Sequence, residues 1–174
     1  MGCRHDDAAG HRPVAPVVAK KLGALPLQLD LPATTTLIVF DLGPTDLGHS
    51  FSVNISDSTE GLSTLELFGT RSRMPYPNGS SDTRDLIATL DGFKAFLATG
   101  PYKVKAFTRE DKTSDGWILE LTYETASRGE DVGVWVRRTI AGALWDCGEF
   151  HSSSHEEAAN IKKRCLALRA QDAK

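Results

Sequence analysis

The chain has 174 residues, 40% of them hydrophobic and 25% charged, the proportions of a folded globular domain and not of a disordered or collagen-like chain. Its 20 basic and 23 acidic side chains leave a net charge of −3, so the average field repels polyanions and no nucleic-acid partner is expected. No window reaches the roughly 18 consecutive apolar residues of a membrane-spanning helix, which leaves a lipid anchor as the one expected route to a membrane.

Residues 1–33 contain Pro13, Pro16, Pro26 and Pro32 without sustained periodicity and read as a flexible tether, with at most a short docking strand or turn near Leu25–Leu31. Met1-Gly2-Cys3 is followed by a polar stretch, Arg4 to Pro13. A small residue before Cys resembles the end of a bacterial lipoprotein signal, which implies lipidation at Cys3 and a periplasmic or outer-membrane location. Myristoylation at Gly2 with palmitoylation at Cys3 is a rival, although Asp6 stands where that signal has Ser or Thr. An ordinary cytoplasmic start with an incidental Cys3 is the third reading.

A single domain is expected over 34–174. Thr35 to Phe40 is a β-branched and apolar run suited to a buried strand that Gly43-Pro44 ends. Phe51, Val53 and Ile55 alternate with polar residues in a second strand, and Leu62–Phe68 forms a third. Residues 70–81 hold Pro75, Pro77 and Asn78-Gly79, a loop. A helix begins at Ser81 or Asp82, buries Leu86, Leu90, Phe93 and Leu97, and stops at Gly100-Pro101. Four antiparallel strands follow, Tyr102–Arg109, Gly116–Glu124, Val132–Ile140 and Ala143–Phe150. The last helix opens with Ser154-His155-Glu156-Glu157, a capping box, and places Ala158, Ile161, Cys165 and Leu168 on one stripe. The fold class is therefore α+β: an antiparallel sheet of about seven strands covered by two main helices in the order βββα-ββββα.

That order, the Gly48-His49-Ser50-Phe51-Ser52-Val53 opening, the Asp115 to Tyr123 strand and the Ile161–Leu168 helix resemble PsbP-like domains. The resemblance implies an α/β/α sandwich over 34–169, found in exported proteins and lipoproteins. It implies binding or assembly more often than turnover and transfers no active residue.

Cys147 lies in a strand and Cys165 on the buried stripe of the last helix, so a disulfide is expected if the helix packs on that strand. Cys147, His151, His155 and Cys165 supply zinc-type donors, but the close Cys pair of a structural zinc site is missing and no metal or other cofactor is expected. Leu37 to Thr45 has the strand, Asp41 and Gly43 of a phosphate-binding segment, yet a second matching segment is missing and a plain strand and turn is the better reading. A triad from Ser152, His151 and Asp146, or a carboxylate pair from Asp146 and Glu149, rests on proximity in sequence alone, so no catalytic residue is assigned.

Arg71, Arg73, Arg137 and Arg138 with Trp135 and Tyr76 have the composition of an interaction patch, against a solvated strand face as the plainer alternative. The expectation drawn together is a non-enzymatic binding or inhibitory protein of the bacterial envelope. Its concrete form is an immunity-type lipoprotein that blocks a secreted toxin or hydrolase, meeting its protein partner through Arg71, Tyr76, Glu149 and His151. A small-molecule carrier or weak hydrolase, and a cytosolic assembly factor, are the alternatives.

Overall fold

The computed structural model describes residues 15–45, 48–57, 61–69, 89–99, 103–125, 129–152 and 154–172, and gives only the backbone at 48, 125 and 150–152. Ten strands and two helices follow one another in these segments: β1 (Val17–Lys21), β2 (Leu27–Pro32), β3 (Thr36–Thr45), β4 (Gly48–Asp57), β5 (Gly61–Gly69), α1 (Leu90–Thr99), β6 (Lys103–Thr113), β7 (Gly116–Thr125), β8 (Gly129–Ile140), β9 (Ala143–Ser152), α2 (His155–Ala167) and β10 (Arg169–Ala170). None of the described helices is long and apolar enough to cross a membrane.

The molecule is mostly antiparallel sheet. Seven strands are ordered β3-β4-β5-β9-β8-β7-β6, and a smaller sheet is ordered β1-β2-β10. The large sheet consists of two hairpin-connected runs, β3 to β5 and β6 to β9, joined where Phe68 of β5 pairs with Asp146 of β9. Ala141 and Gly142, both with positive φ, form the two-residue turn between β8 and β9, and this turn sets the register along both strands.

Alternation along each strand divides the core in two. One face carries Val53, Ile55, Leu65, Leu67, Val134, Val136 and Cys147 under α2 and the small sheet. The other carries Phe68, Trp117, Leu119, Leu121, Tyr123 and Trp135 under Leu90, Phe93 and Leu97 of α1. The stripe expected on the last helix is buried as Ala158, Ile161, Cys165 and Leu168, and Ser154 accepts a hydrogen bond from the Glu157 backbone as its N-cap.

The short docking strand allowed near Leu25–Leu31 is present as β2, but the tether assigned to the rest of residues 1–33 needs correction over 17–25. Residues 17–21 form β1, and Leu22, Leu25, Leu27, Leu29 and Leu31 are buried in the α2-side core. Pro16 and Pro26 fall outside the paired stretch and Pro32 at its end, so they do not interrupt the β1–β2 ladder. The strand at 36 also runs past its expected stop: Gly43 and Pro44 continue β3 through a bulge after Asp41. The expected helix start at Ser81 or Asp82, and Leu86, lie outside the described residues.

Candidate functional site

The C-terminal sulfur pair is formed by two neighbours in space. Cys147 shares a face with Val136 and Leu67, its pairing partners on β8 and β5, and that face receives the buried stripe of α2. Cys165 descends from the stripe onto it, and the two are joined in a disulfide with Cα atoms 5.5 Å apart. The bond closes a loop of separation 18 and ties the last helix to the centre of the sheet. With the sulfurs joined, the zinc-type set of Cys147, His151, His155 and Cys165 has no free thiolate to offer. Cys3 lies outside the described residues.

Of the four expected partner-binding residues, Arg71 and Tyr76 lie outside the described residues, as does the side chain of His151. Glu149 is half-buried and pairs with Val134, which places it on the α2 side of the sheet. Asp146 sits on the opposite side, with Trp135 and Phe68. The carboxylate pair of Asp146 and Glu149 is therefore not assembled, because three residues along a strand reverses the face.

Neither the interaction patch nor the plainer solvated strand face describes Trp135 and Arg137. Trp135 and Arg137 are buried at 0% and 3% exposure, because their parity in β8 turns them toward α1. Arg138 turns the other way. Its guanidinium donates to the carbonyls of Leu166 and Leu168 at 2.6 and 2.9 Å, at the C-terminus of α2, and to Asp115 at 2.8 Å. None of the three offers a free hot spot; they hold the helices to the sheet.

Sequence reasoning missed the polar centre beneath α1. Arg137 Nε and Nη2 donate to the two carboxylate oxygens of Asp146, each at 2.6 Å, and both side chains are buried. The guanidinium lies 4.9 Å from the Trp117 ring centroid and 5.9 Å from that of Phe93. Phe93 in turn packs at a tilt against Trp117 and Trp135, with ring centroids 5.2 Å apart in each pair. Burial pushes the Asp146 carboxyl above its ordinary range, while the two bonds from Arg137 pull against that rise. A charge so enclosed and so fully paired specifies packing; solvent and substrate do not reach it.

At the far edge, His49 Nε2 lies 2.6 Å from Asp41 Oδ1, and the same oxygen accepts from the Gly43 backbone at 2.9 Å. Those contacts, the His49 bond first, hold the exposed Asp41 carboxyl below its usual value. Asp41 and Gly43 thus satisfy each other across the bulge, as an ordinary strand irregularity would have them.

Two hollows of about 350 and 240 Å³ run along α2 and share Asn160 and Arg164. Arg164 is nearly buried and donates to Ser63 Oγ, while Thr35 donates to Asp57 Oδ2 at 2.7 Å within the second hollow. The first hollow is lined mainly by polar groups, Glu156, Glu157, Asn160 and Arg164 among them, whereas the second sets Asp57, Lys163 and Arg164 beside the apolar Leu29, Leu31 and Ala167. Among the described residues, no group of three or more His, Cys, Asp or Glu side chains is arranged to hold a metal ion. No protein-family model matches the chain, and no curated protein matches it.

Proposed function

We propose that this is a non-enzymatic binding or inhibitory protein of the bacterial envelope, carried on lipidated Cys3 and acting as an immunity-type protein that blocks a toxin or hydrolase. The observation that carries the reading is the Cys147–Cys165 disulfide. Disulfides persist in oxidising compartments and are rare in reducing ones, so a bond at the centre of the fold favours export. A sheet with helices on both faces is also the layering expected of a PsbP-like domain, and we read the chain as an α/β/α sandwich of that kind. Glu149 and His151 near the end of β9 then meet the partner together with Arg71 and Tyr76.

The test is compartment first, partner second. Mass analysis of exported protein under non-reducing conditions should find Cys147 linked to Cys165 and Cys3 acylated. Recovery from the cytosol with all three thiols open to alkylation would overturn the placement. Affinity capture from the native organism should return a hydrolase or toxin whose activity falls on complex formation. A small-molecule carrier is the second reading, favoured by the hollows beside Asn160 and Arg164. Protection of α2 amides by a small polar ligand, with no protein partner needed, would favour it.

A further inference from the structure

The two edges of the large sheet are built differently. β6 carries six charged residues among eleven and two register shifts, after Val104 and after Phe107. Charges and bulges are the usual devices that stop an edge from pairing with another chain. β3, at the other edge, has a bulge and Pro44 only in its second half. Its first half, Thr36 to Phe40, holds no charge, no proline and no irregularity. No described strand pairs with its outer side. Two large side chains there are half in solvent, Ile38 at 50% and Phe40 at 47%, and Leu42 follows at 60%.

The geometry points to β3 as a self-association edge, its occupant the same strand of a second copy of this chain in antiparallel register about a twofold axis. Centred on Ile38, that register sets Ile38 against Ile38 and Thr36 against Phe40 on the outer face, and Leu37 against Val39 on the core face. The segment is its own complement in side-chain class, and an uncharged strip puts no like charges opposite one another in a chain whose net charge is −3. The alternate N–H and C=O groups that face away from β4, open to water in the single chain, match those of a second extended strand. Five paired residues span roughly 17 Å at about 3.4 Å each, so the strip buried falls below the roughly 1,200 Å² of a standard interface. The dimer is accordingly weak and reversible, with a dissociation constant on the order of 100 µM.

Sedimentation velocity on the full chain, from about 10 µM to about 1 mM, brackets that constant. The sedimentation coefficient should rise with concentration toward that of a dimer. Ile38→Lys should abolish the rise, and so should Ile38→Glu. An equimolar mixture of the two should restore it, because only a twofold contact sets residue 38 against itself. Leu62→Lys, on a strand inside the sheet, should change nothing. A wild-type chain that stays monomeric throughout, or association that survives Ile38→Lys, overturns the proposal. Hydrogen exchange of the wild type covers the case of a variant that fails to fold: amides of 36–40 should gain protection with concentration, and unchanged exchange there overturns it equally.

Discussion

Arg137 and Asp146 face each other across β8 and β9, joined by two hydrogen bonds of 2.6 Å, and neither reaches solvent. Enclosure of this kind makes removal of one partner far worse than removal of both. Arg137→Met leaves a carboxylate with its charge unpaired among Trp117, Phe93 and Trp135, and the expected loss is about 3–5 kcal/mol by urea denaturation. The double variant Arg137→Met/Asp146→Leu should recover much of it. Without Arg137, burial outweighs the remaining hydrogen bond from Trp135 by more, and the Asp146 folded-state pKa rises further above the unfolded value. Stability of the single variant should therefore be greatest in acid and fall as pH rises through that raised value.

The disulfide makes a second prediction. In the chain-entropy description, a closed loop of this length constrains the unfolded state by about 3 kcal/mol. Cys147→Ala/Cys165→Ala should lower the unfolding free energy by that order, and reductant should destabilise the wild type while leaving the double variant unchanged. Because the bond joins β9 to α2, amide exchange should accelerate first in residues 155–167.

Much of this architecture is legible in local patterning. Trp117, Leu119, Leu121 and Tyr123 alternate strictly and are all buried under α1, and Ala158, Ile161, Cys165 and Leu168 keep helical spacing. The small sheet is not legible, because β2 is completed by Arg169 and Ala170 from the other end of the chain, a pairing that no local window contains. The same distance hides the tie of Asp30 to Arg169 at 2.8 Å. Arg137 is missed for a different reason: a charged residue in a half-exposed strand is assigned to solvent by default. The signal was present, since Arg137 shares parity with Trp135, and the Ala141-Gly142 turn counts Arg137 directly onto Asp146.

Gly116 opens β7 beside the ion pair. A Cβ at this position would lie 1.8 Å from the Arg137 carbonyl oxygen, a backbone atom fixed by the β7–β8 ladder. Gly116→Ala must therefore shift the strand that carries Arg137, and a loss of at least about 1–3 kcal/mol is expected. Gly61→Ala tests a different cost, since a Cβ there meets nothing within 4 Å and only its φ of +77° opposes the substitution. The loss at Gly61 should be smaller, measured in parallel by thermal unfolding.

Asp115 gives the pH prediction. It accepts from Arg138 at 2.8 Å and from the Thr113 hydroxyl at 2.9 Å, and these bonds, Arg138 first, hold its carboxyl below the usual range. A folded-state pKa below the unfolded one contributes stability that is complete above the unfolded value, near 3.9, and is lost as pH falls through the folded value. The pair is partly exposed, which limits its worth to under about 1 kcal/mol at neutral pH. Asp115→Asn should accordingly be slightly less stable than wild type at pH 7 and equal to it once the acid limb is passed. Arg138 also holds the Leu166 and Leu168 carbonyls, so loss of Asp115 frees the guanidinium that closes α2. Exchange at the amides of residues 166–170 should quicken in the variant at neutral pH, and the difference from wild type should vanish in acid, where Asp115 is protonated and, like Asn, no longer holds Arg138 by charge.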